Sequence, residues 1–456
     1  MHVLKLRAGN LKSKIILGFL ACLLLQCSPK NPYNQGYVSD KVKKQTQLNL
    51  IKEKQAGKFD LPSDVNPKDG LTQEEAVAVA LWNNAQFQAD FVALKFAKAD
   101  VADAGQMQNP TFRYLSPNGG IVAQVIAYLY VDAIFQRPFR VATAKKDAKK
   151  VADNLVLRTF TLIRDVQSAY ADLKLARDKA KLFSQSTKVR SQIASLALSR
   201  LRNGDISELE ATTAQVDSVS AIENFLRLAQ DTIIMKNRFN NLLGFSNPDS
   251  VIVLQSENPS AQNVITKSQY LELAYENHPE VQAALAAIDA AGKRLGWERS
   301  RVIAFSAVLN GQNFANTSSE NKPFPQTFDI GAQIEIPIFN RNRGRILRAK
   351  AEMEQAAFQY IALRQRIAVD VSEAYERYMV ASKSNQLWNG SVVPSLMQAV
   401  KLSQDNYNTG DISYLPVLES TRNLLDAQAR KAEVEAELLK AVAQLNYRIG
   451  KKAIAN

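Results

Sequence analysis

Few residues in this sequence could take part in catalysis or hold a metal ion. The chain has 456 residues but only two histidines and two cysteines, and both cysteines lie within the first thirty positions. His278 stands alone, where the pattern predicts the start of a helix, and we interpret it as a surface or packing histidine. We find no His/Cys metal spacing, no phosphate-binding glycine loop and no nucleophile–base pair. The sequence indicates no catalytic residues, no metal site and no cofactor, so we do not expect an enzyme.

The two cysteines belong to an export signal. Basic residues precede the apolar run Ile15–Leu25, which is too short to cross a bilayer as a stable helix. The run ends in Leu-Leu-Gln before Cys27, which resembles a bacterial lipoprotein cleavage site. We therefore predict a signal peptide over residues 1–26 and a lipid anchor at Cys27. Gln26 departs from the usual small residue, and Cys22 or an ordinary signal peptide with an incidental cysteine are the alternatives. Each of them predicts export.

The net charge of +13 leaves two kinds of partner open, nucleic acid and an acidic membrane surface. Basic and acidic residues alternate along the chain, and no module combines aromatic with basic residues as nucleic-acid recognition requires. We interpret the charge as a solvated helix surface and predict no nucleic-acid partner. Hydrophobic content of 46% and charged content of 22% indicate neither disorder nor a bundle of membrane helices.

The stretch from Thr327 to Ser413 changes its period from two to seven. Residues 327–338 alternate as a strand does, with one apolar face. That face consists of Phe328, Ile330, Ala332, Ile334, Ile336 and Ile338. After the basic corner Asn340–Arg345, apolar residues recur every seven positions from Ile346 to Ala381, the spacing of a supercoiled helix. About 65 helical residues would span on the order of 100 Å, too long for a compact domain.

The chain is internally duplicated. Four segments recur in the same order, and Gly204 to Gly244 and Gly410 to Gly450 are both 40 residues apart. The matches are Asn83–Ala89 with Asn277–Ala283, Ile134–Arg137 with Ile338–Arg341, Gly204–Ser207 with Gly410–Ser413, and Gly244 with Gly450. Each unit reads as a helix, two strands, a long helix, a turn and a returning helix.

This pattern predicts three segments after the signal peptide. An extended tether covers residues 27–70, after which Thr72 and Glu75 form a capping pattern that opens a helix continuing toward Gln108. The first repeat covers 71–262, with two strands at about 111–135 and a long helix resuming near Val141. The second covers 263–456, with two strands at about 301–338.

The predicted strands are near the length of about 9–11 residues that crosses a bilayer at a tilt. Four strands cannot close a barrel, and an open edge is not tolerated in lipid. If the strands span a membrane, several chains must share one barrel. A soluble sheet whose apolar face covers a core is the alternative.

Three segments resemble the outer-membrane factor family, the TolC-like channels of bacterial tripartite efflux and secretion systems. They are Ile336–Gly344, Tyr407–Ser413 and Leu418–Gln428. The corner Asn340–Gly344 looks most like the branch that serves resistance–nodulation–division pumps, including metal-cation exporters. The resemblance covers roughly residues 70–452.

The resemblance implies a mainly α protein with a membrane β-barrel portion. Three identical chains, each with four strands and an internal duplication, would form a twelve-stranded barrel on a long α-helical barrel. The protein would lie in the bacterial outer membrane, lipid-anchored and extending into the periplasm. Its partners would be the bilayer, a periplasmic adaptor and an inner-membrane pump of the resistance–nodulation–division type. It would be an exit duct that passively conducts small molecules or cations.

The resemblance also implies two functional sites at the repeated turns. The adaptor would dock on the turns Gly204, Asp205, Ile206, Ser207 and Gly410, Asp411, Ile412, Ser413, and the aperture would involve Glu210, Tyr407 and Glu419. Pro416 departs from the family pattern at a position that is often acidic. The alternatives are that the glycines only end helices and that the acids lie on a solvated helix face.

Two other functions remain open from the sequence. One is a periplasmic adaptor or coiled-coil scaffold without a pore, and the other is a soluble coiled-coil binding protein. Neither explains why both strand pairs and both turns recur in order. The cargo stays open among metal ions, drugs and a secreted protein.

Overall fold

The computed structural model describes residues 29–50, 57–63, 65–66, 69–115, 121–247, 253–255, 265–314 and 326–453. The predicted signal peptide, Cys22, Cys27 and the polar loop 315–323 lie outside these residues. The chain divides into two compact units. The described residues of the first unit lie within 29–38, 92–154 and 282–362, and those of the second lie within 39–91, 155–281 and 363–453.

The helices and strands of the described residues follow the duplicated order. They are α1 (Gln35–Thr46), α2 (Gln73–Asn83), α3 (Ala85–Ala104), β1 (Thr111–Leu115), β2 (Ile121–Tyr130), α4 (Asp132–Arg202), α5 (Glu208–Leu243), α6 (Lys267–Asn277), α7 (Pro279–Ser300), β3 (Ala304–Phe314), β4 (Gln326–Glu335), α8 (Arg343–Leu387), α9 (Val393–Thr409) and α10 (Tyr414–Ile449). The predicted mainly α fold with four strands is confirmed.

The four strands form one antiparallel sheet in the order β1-β2-β3-β4, and it lies in the first unit. Strand β2 of the first repeat pairs with β3 of the second, with Ile126 opposite Asn310. The two outer strands, β1 and β4, form the edges of the sheet.

The register places apolar residues of all four strands on one face. Phe112, Ala127, Leu309 and Ile330 lie opposite one another in a single row across the sheet. The next row, one residue along each strand, contains Arg113, Ile126, Asn310 and Asp329 and belongs to the other face. On that second face, Gln124 donates a hydrogen bond of 2.9 Å to the Asn310 side chain. The sheet therefore has one apolar and one largely polar face.

Both strand pairs end differently from the prediction. Strand β2 ends at Tyr130, and residues 132–137, predicted as strand and corner, already belong to α4. The run from Ile121 to Phe135 is apolar almost throughout, so its alternation could not locate the end. In the second repeat, β3 begins at Ala304 and β4 ends at Glu335. Pro337 has no N–H to donate to a ladder, which accounts for the early end of β4.

The segment predicted as an extended tether contains helix α1. Val38 and Val42 lie one helical turn apart and are both fully buried. Ahead of them, Tyr37 donates a hydrogen bond of 3.0 Å to the Asp153 carboxylate. Burial and the nearby Asp153 charge raise the pKa of Tyr37, so its hydroxyl stays protonated and available as a donor.

The long second-repeat helix keeps the predicted seam. Within the second unit its buried hydrophobic positions are Ile367, Val371, Ala374, Tyr378 and Ala381, alternately four and three residues apart. The helical path runs from Arg343 to Thr409 but includes a π-helical turn at Trp388–Val392. Pro394, two residues beyond this turn, cannot donate a backbone hydrogen bond, and the wider turn accommodates this loss.

The helix that opens each repeat is broken in two at equivalent positions, Asn84 and His278. At both breaks a side chain caps the next helix. The Asn84 oxygen accepts from the Phe87 N–H at 2.9 Å, and His278 Nδ1 accepts from the Glu280 N–H at 3.2 Å. The single helix predicted from Thr72 toward Gln108 is therefore two helices.

His278 is a packing histidine, with only 2% of its surface exposed. Burial, helped by the charges of Arg448 and Arg366, lowers its pKa to about 4. The ring is therefore neutral at neutral pH, as its acceptor role at Nδ1 requires.

Each helix break packs against the glycine that ends the returning helix of the same repeat. Gly244 has φ +83° and lies against the Asn83 backbone, while Gly450 has φ +73° and lies against His278. A Cβ on Gly450 would sit 2.7 Å from the His278 Cα. Glycine is needed here for its left-handed conformation and for the space.

We predict that Gly450→Ala destabilises the protein more than Gly410→Ala does. Gly410 has φ +86°, but no neighbouring atom lies within 4 Å of the place a Cβ would take, so alanine there costs about 1 kcal/mol from the backbone alone. Alanine at Gly450 must also displace the helix break, at a further cost of about 1–3 kcal/mol. The midpoints of thermal unfolding followed by circular dichroism measure the difference. Equal midpoints for the two variants would contradict the close packing.

Candidate docking turns and aperture

The two turns predicted as the docking site share one backbone geometry. In the first, the Asp205 N–H donates to the Arg200 carbonyl at 2.9 Å and the Gly204 N–H to the Leu201 carbonyl at 3.0 Å. In the second, the Asp411 and Gly410 N–H groups bond to the Asn406 and Tyr407 carbonyls at 2.9 and 3.0 Å. Both are Schellman motifs, in which a left-handed glycine lets the chain satisfy the last carbonyls of a helix.

The two turns expose equivalent side chains, although the Asp411 carboxylate also accepts a hydrogen bond of 2.6 Å from the Thr409 hydroxyl. Gly, Asp and Ser of each turn are exposed, while Ile206 and Ile412 are half-buried. Each turn therefore presents an exposed carboxylate on a rigid backbone.

The helices that leave the two turns are capped differently. Ser207 and Glu210 form a capping box, because the Glu210 N–H donates to Ser207 Oγ and the Glu210 carboxylate accepts from the Ser207 N–H at 3.0 Å. Ser413 makes no such side-chain bond. The residue equivalent to Glu210 is Pro416, which has neither an N–H nor a carboxylate. The departure from the family pattern thus removes a helix cap.

The three predicted aperture residues are each placed differently. Glu210 is exposed and its carboxylate serves the cap of α5. Glu419 is exposed on α10 and forms no ion pair with another described residue. Tyr407 lies before the second turn, 40% exposed, with its ring centroid 5.1 Å from that of Tyr414 across the turn. Within one chain, the structure pairs Tyr407 with Tyr414 and joins neither ring to an acid.

An ion-pair network that we did not predict joins three helices near the turns. Arg190 of α4 contacts Asp217 of α5 at 2.6 Å and Asp426 of α10 at 3.2 Å. Arg422, one turn before Asp426, lies 3.9 Å from the same Asp217. Arg190 therefore ties the returning helices of both repeats to the outgoing helix of the first.

Further ion pairs join α4 and α10 away from the turns. Lys179 contacts Glu433 at 2.7 Å, and Lys440 contacts Asp172 at 2.5 Å. Burial alone would raise the pKa of Glu433, but its hydrogen bonds to Lys179 and Arg430 outweigh this and lower the pKa. The sequence contained one indication of these ion pairs. Asp426, Glu433 and Lys440 are spaced seven residues apart and therefore lie on one face of α10.

Neither a metal cluster nor a membrane-spanning helix occurs among the described residues. No group of three or more His, Cys, Asp or Glu side chains in this part of the chain is arranged to hold a metal ion. None of the described helices combines the length and apolar character needed to cross a membrane.

The sequence and the fold are both similar to known proteins. The family model described as outer membrane efflux protein matches residues 270–451. The cobalt-zinc-cadmium resistance protein CzcC of Cupriavidus metallidurans is 23% identical over 84% of this chain and 90% of its own length.

Two solved structures share the fold. CusC, whose structures concern folding and transmembrane channel formation, is 16% identical with a TM-score of 0.66, over 88% of this chain and 99% of CusC. The outer membrane protein VceC of Vibrio cholerae is 18% identical with a TM-score of 0.64, over 83% and 96%. Both matches cover more than four fifths of the chain. The duplicated sequence, the family match over residues 270–451 and the fold all agree with the predicted resemblance to TolC-like outer-membrane efflux proteins.

Proposed function

We propose that the protein is the outer-membrane exit duct of a tripartite efflux system and passively conducts small molecules or cations. One observation carries this proposal: an open four-stranded sheet with a continuous apolar face is joined directly to very long helices. Helix α4 alone has 71 residues, which at about 1.5 Å each is on the order of 105 Å. A soluble scaffold has no use for such a face.

The sheet explains why the duct needs several chains. Both edge strands are solvent-accessible, and Ile330 and Ile334 of β4 are 60% and 57% exposed. Unpaired backbone groups are costly in lipid, so the edges must pair with other copies. Three chains of four strands give the twelve-stranded barrel of the family, with the apolar face toward lipid.

The remaining parts of the system follow from the family. The partners are a periplasmic adaptor and an inner-membrane pump of the resistance–nodulation–division type, which supplies the energy. Divalent cations are the first cargo to test, because the relative CzcC is named for resistance to cobalt, zinc and cadmium. The chain is anchored at Cys27 by lipid, which mass spectrometry of the mature N-terminus would detect.

The assembled duct is tested on particles extracted from outer membranes in a neutral detergent. We expect a native mass of three chains and, after reconstitution in a planar bilayer, discrete channel events. A soluble monomer without conductance would contradict the barrel and favour the scaffold without a pore.

The docking site in this proposal is the pair of Schellman turns. Their exposed Asp205 and Asp411 lie on the same backbone geometry, so one adaptor element can fit both. Reversing both charges, with Asp205→Lys and Asp411→Lys, should abolish crosslinking of the adaptor to the turns. Each aspartate follows its glycine and lies outside the helices, so the trimer should form as before. Crosslinking that survives the double reversal would count against docking at the turns.

The aperture is the second site in this proposal, with Glu419, Glu210 and Tyr407 at its lining. Three copies of an acid in a narrow neck create a negative potential that favours cations. Glu419→Gln and Glu210→Gln should each lower the cation-over-anion permeability ratio roughly twofold to fivefold, as a change of about 0.4–1 kcal/mol in ion free energy gives. Glutamine can keep the capping box, so Glu210→Gln changes charge alone.

The matched control is Glu223→Gln, an exposed acid on the same helix as Glu210 and about 20 Å farther from the turn. It should leave the permeability ratio unchanged. Ratios that fall equally in all three variants, or in none, would remove the aperture role.

A further inference from the structure

The segment between β4 and α8 exposes apolar and cationic side chains next to each other. We call residues 336–345 the basic corner. Its apolar members are almost uncovered: Phe339 is 98% exposed, Ile336 74% and Ile338 63%. Arg341, Arg343 and Arg345 follow within six residues of Phe339 and are exposed as well. Exposed apolar surface of this kind marks an interaction site.

The equivalent corner of the first repeat uses its arginines internally. There, Arg137 Nε donates to the Gly105 carbonyl at 2.8 Å, and Arg140 donates to the Gln106 carbonyl at 2.9 Å. Both arginines thus hold the chain that follows α3. They are half-buried, unlike those of the basic corner.

In the second repeat a neutral residue fulfils this structural role. Asn342, with φ +54°, donates through Nδ2 to the Glu298 carbonyl at 2.7 Å and to the Glu298 carboxylate at 2.9 Å. Arg341 makes only a 3.4 Å contact to the Pro337 carbonyl. Arg343 and Arg345 form no ion pair with any described residue. The arginines of the basic corner are therefore left for an external partner.

A groove of about 390 Å³ lies at the basic corner. Part of its wall is apolar, formed by Val302, Ala304, Ile336, Pro337, Ile338 and Phe339, and the polar residues Arg301, Asn340, Asn342 and Arg345 line the rest. Glu335 is the acid of this lining. An apolar wall beside guanidinium groups suits a ligand that combines a hydrocarbon chain with an anionic head. Arginine binds phosphate oxygens in a bidentate manner, which adds specificity.

The topology fixes where the groove lies in the proposed duct. Strands β1 and β3 follow helices α3 and α7, whereas β2 and β4 lead into α4 and α8. Because neighbouring strands are antiparallel, all four ends that join a helix lie at the same end of the sheet. With the helices in the periplasm, that side is the periplasmic leaflet. The lipids of that leaflet meet the basic corner at headgroup depth.

We propose that the basic corner binds an anionic glycerophospholipid, such as phosphatidylglycerol, from the periplasmic leaflet. Its phosphate lies against Arg341, Arg343 and Arg345, and its acyl chain lies along Ile336, Ile338 and Phe339. This inference rests on the proposed outer-membrane location. Basic residues near a membrane surface each attract anionic lipid by about fivefold.

The test is native mass spectrometry of the detergent-extracted particle, with phosphatidylglycerol and phosphatidylcholine of identical acyl chains added in equal amounts. The wild-type protein should retain phosphatidylglycerol at least about tenfold more than phosphatidylcholine. The triple variant R341Q/R343Q/R345Q should reduce this preference to within about twofold. The matched control R227Q/K236Q/R238Q, three charges on α5, should keep the full preference.

Three outcomes would overturn the inference. They are equal retention of the two lipids by the wild-type protein, an unchanged preference in the corner variant, and dissociation of that variant into single chains. The last would assign the arginines to a contact between copies. Channel events from a particle without lipid preference would leave the proposed function intact. A soluble protein would remove both.

Discussion

The need to satisfy backbone hydrogen bonds at the sheet edges governs this structure. One chain supplies four antiparallel strands, so two rows of N–H and carbonyl groups have no partner within the sheet. Water can satisfy them, but hydrocarbon cannot. An apolar face and open edges are compatible only if the edges are closed by further copies. In the proposed duct, pairing with further copies is thus a condition for membrane insertion.

The duplication preserves backbone geometry more strictly than side chains. All four ends of the long helices near Gly204, Gly244, Gly410 and Gly450 are Schellman motifs, with the same pair of hydrogen bonds. The side chains that support equivalent positions have diverged. Asn84 and His278 cap the same helix break, and Glu210 of a capping box has become Pro416. The second repeat therefore lacks the side-chain cap found at the first turn, and the arginines of its corner are exposed where those of the first repeat are half-buried.

The sequence predicted the order of elements because their signals are local and repeated. Alternation marked β4, the heptad marked α8, and glycine followed by Asp-Ile-Ser marked both turns. The end of β2 could not be predicted from the sequence. An almost wholly apolar run shows no alternation of polar and apolar residues, so nothing in it marks where the strand ends. Helix α1 was missed because only two of its residues, Val38 and Val42, are fully buried apolar ones. Contacts between elements, such as Arg190 with Asp217 and Asp426, depend on how α4, α5 and α10 pack, which a single sequence does not state. The proposed aperture at Glu210, Tyr407 and Glu419 likewise depends on other copies of the chain, which a single sequence does not describe.

The pairing of β2 with β3 has a consequence for how the protein is made. Gln124 and Asn310, which bond across this pair, are separated by 186 positions in the chain. A contact of such high sequence separation forms late, because a long loop must close before any pairing compensates for the lost entropy. During synthesis and export, the first hairpin must therefore wait for the second half of the polypeptide to emerge. Its apolar strands stay exposed during that interval. The chain therefore depends on a factor beyond the inner membrane that keeps unfolded strands from aggregating until the second half arrives.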